Sequence, residues 1–148
     1  MRGFNIAIPF VEALGFELVR CEGGEAEVAV PPRPDLLNHI GIAHGGVVMT
    51  LLDVAMAQAI RATDPALLAG GPALVTIEMK TSFLRPGTGR LRAVGRVLRK
   101  GASMAFCEGS VLDGAGEQVA HATGTFKLIR RESSAAAPSS MPAGATGA

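Results

Sequence analysis

Residues 45–60 read GGVVMTLLDVAMAQAI, and Asp53 is the only formal charge among them. Thr50 and Gln58 are the only other clearly polar groups in the run. The stretch is helical in character and apolar on nearly every side, which predicts a helix buried all round. An unpaired carboxylate there costs several kcal/mol or is forced to keep its proton. The nearby sequence offers no obvious cation, so Asp53 reads as a working group, the alternative being a satisfied core acid or a helix-packing ion pair. Immediately before the helix stands His44-Gly45-Gly46. The unsatisfied N–H groups of a helix N-terminus can bind a developing oxyanion. Together the two features point to acyl transfer or hydrolysis.

Working outward, the helix is predicted from about Gly46 to Thr63, stopped by Asp64-Pro65. Upstream, PPRPDLLNHIGIA is a loop, because its prolines exclude a regular helix or a central strand. Phe16–Cys21 and Glu25–Val30 read as a hairpin around Glu22-Gly23-Gly24, preceded by a short helix from Pro9 to Gly15. Downstream come strands at Leu74–Leu84, Gly89–Leu98, Ser103–Leu112 and Gln118–Ile129. Asp113-Gly114 marks a tight turn. The last strand puts Ala120, Ala122, Gly124, Phe126 and Leu128 on one side, an unusually small inner face that makes room for a bulky element. The apolar helix is the candidate occupant, which gives an α+β architecture.

The 148 residues make one domain, 48% hydrophobic and 18% charged, with a formal net charge of +1. That balance gives no reason to expect a nucleic acid or an anionic membrane as partner, and with no Trp and no Tyr there is no stacking platform for single strands. Its scarcity of charge suits a surface partly hidden by self-association. Cys21 and Cys107 have no metal-ligand spacing and read as reduced core thiols. The N-terminus is too short and interrupted for a signal peptide or a membrane span, so a cytoplasmic protein is expected. The folded domain is expected at 1–130. Residues 131–148, rich in Ala, Ser, Pro and Gly, are expected to be a disordered tail.

Asn38, His44-Gly45-Gly46 and Leu52-Asp53, with VTIEMKTSFLRP and LRKGASMAFCEGSVLD downstream, resemble the hotdog-fold thioesterases of the 4-hydroxybenzoyl-CoA thioesterase superfamily, in the phenylacetate-pathway branch. The resemblance implies a curved antiparallel sheet wrapped around one long helix. It implies hydrolysis of an acyl-CoA thioester by a homodimer, often paired into a homotetramer. Asp53 would be general base or nucleophile, Gly45 would polarise the carbonyl through its N–H, and Asn38 would place the water or the acid. His44 would help place the substrate or simply cap the helix, and Asn38 alternatively fixes its own loop. Thr76 stands where a hydroxyl assists some members, although strict alternation groups it with Glu78 and Lys80. The turn Arg99-Lys100-Gly101-Ala102-Ser103 corresponds to one lying near the CoA phosphates, with Arg85 a further candidate. No metal is implied, and no cofactor beyond the coenzyme A of the substrate.

Geometry adds a constraint of its own. Gly45 and Asp53 are separated by about 12 Å along a helix axis, whereas a donor and a base must both lie within about 3 Å of one reacting centre. A two-fold partner with an antiparallel helix can bring Gly45 of one chain beside Asp53 of the other. A thioester suits so sparse a site, because its thiolate leaves readily and no Ser-His-Asp triad is needed. Two other functions stay open: a dehydratase or hydratase acting on an acyl thioester, and a non-catalytic acyl-CoA-binding module. The identity of the acyl group is not legible at this stage.

Overall fold

The structure, a computed structural model, describes residues 3–130; the tail expected at 131–148 lies outside the described residues. The elements in chain order are α1 (Pro9–Ala13), β1 (Glu17–Glu22), β2 (Glu25–Val30), α2 (Gly45–Arg61), α3 (Pro65–Leu68), β3 (Ala73–Phe83), β4 (Leu91–Lys100), β5 (Met104–Leu112) and β6 (Gln118–Ile129). A single 3₁₀ turn, Pro34–Leu36, interrupts the proline-rich loop. The six strands form one antiparallel sheet in the order β1-β2-β4-β5-β6-β3, and α2 lies on one face of it. This is the expected α+β arrangement.

Two details depart from the expectation. Strand β4 is displaced by two residues relative to the expected Gly89–Leu98. The short helix α3 was not expected, and the dipeptide that ends α2 also begins it: Asp64 Oδ1 accepts from Ala66 N at 2.8 Å, and Pro65 occupies the first turn.

The helix can lie close to the sheet because the sheet presents glycine beneath it. Gly95 on β4 and Gly109 on β5 are cross-strand partners. A methyl group at Gly95 would sit 2.6 Å from the backbone C and O of Ala55; one at Gly109 would sit 3.2 Å from Leu52 Cδ2. Backbone thus rests on backbone, and Leu51, Leu52, Ala55, Met56, Ala59 and Ile60 are fully buried around that contact. Cys21 Sγ donates to Gln58 O at 3.4 Å and Cys107 Sγ to Met56 O at 3.9 Å, so both thiols face the helix. Both are buried and unpaired with each other. Burial pushes the Cys107 thiol up to about 12, which makes it a poor nucleophile.

The opposite face of the sheet is the wet one, as the alternation indicates. Arg92 bonds Glu27 at 3.0 Å, Arg96 bonds Glu108, and His121 Nε2 lies 3.6 Å from Glu108 Oε2.

The helix is not buried all round, however. Gly46 and Met49 are exposed, and Thr50, Asp53 and Ala57 are half-buried; the five share one stripe along α2. The physical reason is the strand order: the sheet ends at β3, so no further strand among the described residues covers that side. Val75, Ile77 and Phe83 of β3 are exposed beside it.

Gly95→Ala is expected to destabilise the protein by about 1–3 kcal/mol, the scale of an overpacked core. Gly114→Ala, where an added methyl meets nothing within 4 Å, is expected to stay within about 0.5 kcal/mol of wild type. Urea unfolding of the two variants checks the contrast.

Candidate active site

Asp53 sits mid-way along α2, and its only hydrogen-bond partner in the described chain is Thr76, whose Oγ1 donates to Asp53 Oδ1 at 2.6 Å. Strict alternation would have turned Thr76 outward with Glu78. A bulge between the two residues prevents that: Thr76 lies opposite Phe126, Glu78 opposite Thr125, and Ile77 is the extra residue. Thr76 therefore shares the inner face with buried Phe126, while Glu78 accepts from Thr125 Oγ1 on the outer face at 3.2 Å.

No cation pairs with Asp53 among the described residues. Burial raises its carboxyl above the usual aspartate range, and the Thr76 hydrogen bond opposes that rise by favouring the charged form. The carboxylate borders a cavity of about 350 Å³ whose walls include Ile6, Ile8 and Phe10 from the N-terminal segment, Val54 and Ala57 from α2, and Thr76 from β3.

At the other end of the helix, His44 is the N-cap, and its Nδ1 accepts from Gly46 N at 2.9 Å. That bond satisfies Gly46 and leaves Gly45 N–H as a donor with no partner in the described chain. Asn38 spends its Oδ1 on its own loop, accepting from Ile40 N at 3.0 Å and Ile42 N at 3.3 Å. Its side-chain amide N–H donors are not used within the described chain. Gly45 and Asn38 line a second cavity, of about 420 Å³, together with Phe83 and Arg85.

The two cavities share no residue. The structure brings Asp53 to Thr76, and Gly45 to Asn38 and Arg85, but it does not bring these two groups together. His44 lines neither cavity. Arg99, Lys100, Gly101 and Ser103 lie at the β4–β5 turn, where Gly101 N donates to Met104 O at 2.7 Å and Leu128 N to Ser103 O at 2.9 Å. They line neither of the two cavities either; Lys100 borders a separate cleft with Asp64 and Arg130. Among the described residues no group of His, Cys, Asp and Glu is placed to hold a metal ion, and no helix is long and apolar enough to cross a membrane.

Residues 40–120 match the family model described as "Thioesterase superfamily". The chain belongs to the thioesterase superfamily. A curated relative, the medium/long-chain acyl-CoA thioesterase YigI of Escherichia coli, is 30% identical over 137 residues, covering 84% of this chain and 88% of that protein. Among solved structures, the PaaI protein of the E. coli phenylacetic acid degradation operon superposes with a TM-score of 0.72 at 26% identity, over 81% of this chain and 83% of PaaI. A mutant of the phenylacetic acid degradation protein PaaI from Thermus thermophilus gives 0.71 at 32% identity, over 82% and 100%. The six-stranded antiparallel sheet and its long helix are therefore the hotdog fold, as the resemblance implied.

This thioesterase also places two polar groups in the Asp53 cavity that the sequence reading assigned no role, Gln58 and Arg61. The signal was present: Asp53, Ala57 and Arg61 recur every four residues and so follow one another along a helix face.

Asp53 is expected to set the acid limb of the pH–rate profile, since a raised carboxyl pKa delays formation of the basic carboxylate as pH climbs. Thr76→Val removes the bond that holds this pKa down, so the limb moves to higher pH. For stability the sign is opposite. A folded pKa above the unfolded one contributes stability that is present below the unfolded value and lost as pH rises through the folded value. Asp53→Asn removes that loss and is expected to be more stable than wild type at pH 7. Steady-state rates and urea midpoints across pH check both.

Proposed function

We propose that the protein hydrolyses acyl-CoA thioesters at a site shared by two copies of the chain. The observation that carries this reading is the division of the machinery between two separate cavities, with a desolvated carboxylate in one and an unused N–H donor in the other. About 12 Å of helix separates them within one chain. The uncovered stripe Gly46-Met49-Thr50-Asp53-Ala57 and the exposed edge of β3 supply the surface for a two-fold partner. An end strand has unpaired N–H and C=O groups along its free side, which favour pairing with a like strand.

In this arrangement Asp53 takes a proton from water as the water oxygen attacks the thioester carbonyl. Gly45 N–H of the partner chain receives the developing oxyanion, and the Asn38 amide helps orient the attacking water. Collapse of the tetrahedral intermediate breaks the C–S bond, and the proton on Asp53 goes to the departing thiolate. Thr76 holds one carboxylate oxygen and leaves the other for the water. His44 acts by capping the helix, which keeps Gly45 N–H in position. That capping role also favours hydrolysis over dehydration, which needs a histidine directed at the substrate carbon.

Arg85 lines the Gly45 cavity, which supports it as the cation for the CoA phosphates, with the Arg99-Lys100 turn a second basic point. Its ion pair with Glu117 is long, 3.7 Å, and exposed, so it is weakly held. Arg85→Ala is expected to raise KM for CoA esters with little change in kcat, and to spare short thioesters that lack the nucleotide. The same kinetics on Arg99→Ala/Lys100→Ala separate the two basic points.

Asp53→Asn is expected to lower kcat by at least about 100-fold, the scale of a general base. Gly45→Pro removes the N–H donor at a position where a first-turn proline is tolerated, and is expected to be similarly inactive. Mixing these two inactive variants tests the shared site. Random exchange makes half of the dimers heterodimers, each with one intact site of two, so activity returns to about a quarter of wild type. Recovery appears only after subunit exchange; exchanged, folded mixtures that stay inactive would show that each chain builds its own site.

A further inference from the structure

The Asp53 cavity has a polar far end. Gln58 is 2% exposed, yet its side-chain amide makes no hydrogen bond within the described chain. Among the described residues Thr81 Oγ1 is the one sealed side-chain polar atom without a partner. The Gln58 amide is therefore not cut off: it opens onto space, and the space it borders is this cavity. Arg61 lines the cavity too, but its guanidinium is engaged, with Nη1 donating to Leu67 O at 3.0 Å. The rest of the wall is largely apolar, with Ile6, Ile8, Val54, Leu74 and Phe126 contributing most of it.

We propose that Gln58 is a specificity-determining residue that ends the apolar part of the acyl cavity and limits straight acyl chains to about six carbons. This rests on the acyl-CoA reading above, with Asp53 marking the reacting end. The place of the limit follows from the helix, because Gln58 lies about 7.5 Å beyond Asp53 along the axis. An extended chain advances about 3.6 Å per three bonds, so about six bonds span that distance. Up to that point each added methylene is buried against aliphatic side chains and raises kcat/KM by about fourfold. The next ones lie along the polar end, where they gain no apolar wall. They displace water from the two N–H donors and the acceptor of the amide and offer no hydrogen bond in return. A buried amide left unpaired costs about 10- to 100-fold, so the profile turns down there instead of levelling.

The test is the kcat/KM profile over saturated straight-chain acyl-CoA esters of two to twelve carbons. Wild type is expected to peak near six carbons and to fall by about 10-fold or more for chains that pass Gln58. Gln58→Leu, of similar size, extends the apolar wall and is expected to raise the ten-carbon ester by about 10- to 100-fold. The four-carbon ester, which stops short of residue 58, is expected to be unchanged. Gln58→Met, also unbranched and close in volume, is expected to shift the profile in the same direction. Circular dichroism and thermal unfolding establish that each variant is folded. A wild-type rate that climbs through twelve carbons, turnover confined to ring-bearing acyl groups, or a profile unmoved in the folded variants overturns the inference and leaves the thioesterase reading standing. Absence of turnover on every CoA ester overturns the acyl-CoA reading and the inference with it.

Discussion

The contact on which the rest depends is backbone against backbone, where Ala55 of α2 rests on Gly95 of β4. A side chain there would lift the helix by the thickness of a methyl group or more. Lifting it would separate Asp53 from Thr76, whose hydrogen bond is already short at 2.6 Å. It would also open the wall between α2 and Phe126 that bounds the cavity. Close packing in the core and the protonation chemistry of the site are therefore set by one distance, that between helix and sheet.

Much of this was legible from residue types. The lone acid in an apolar run, the glycines before it and the small inner face of the last strand were sufficient for the fold class, and they singled out Asp53 and Gly45 as candidates. The helix rise alone indicated that Gly45 and Asp53 belong to different sites in one chain, and the structure places them in separate cavities. What escaped the sequence has physical causes. A bulge at Ile77 inverts the face of Thr76, and no residue type announces a bulge when its extra residue is an ordinary isoleucine. The open stripe on α2 could not be read from hydrophobicity, because small residues at an interface and small residues in a core look alike. Gln58 was visible as a polar residue in an apolar helix, but the cavity it borders takes part of its wall from Ile6, Ile8 and Phe10 of the N-terminal segment, which are distant in sequence.

The charges divide the molecule in a similar way. On the outer face they pair across strands, as in Arg92–Glu27 and Arg96–Glu108–His121, and contribute modestly because water screens them. On the inner side one carboxylate is held without a counter-ion among the described residues, and its proton affinity rises because water is kept away. A carboxylate is thus paired and screened on one side of the sheet and desolvated on the other, and depth of burial makes the difference.

The order of elements along the chain bears on how the protein is made. Helix α2 is complete at Arg61, and of the strands it rests on β2 precedes it, whereas β4, β5 and β6 run from Leu91 to Ile129. At a synthesis rate of about 5–20 residues per second, the helix waits several seconds before Phe126 exists to cover it. During that interval Leu51, Leu52, Met56 and Ile60 have only the β1–β2 hairpin to pack against. The nascent chain carries a half-sheltered apolar helix, so its yield in a cell depends on how well chaperones shield that segment until the sheet is finished.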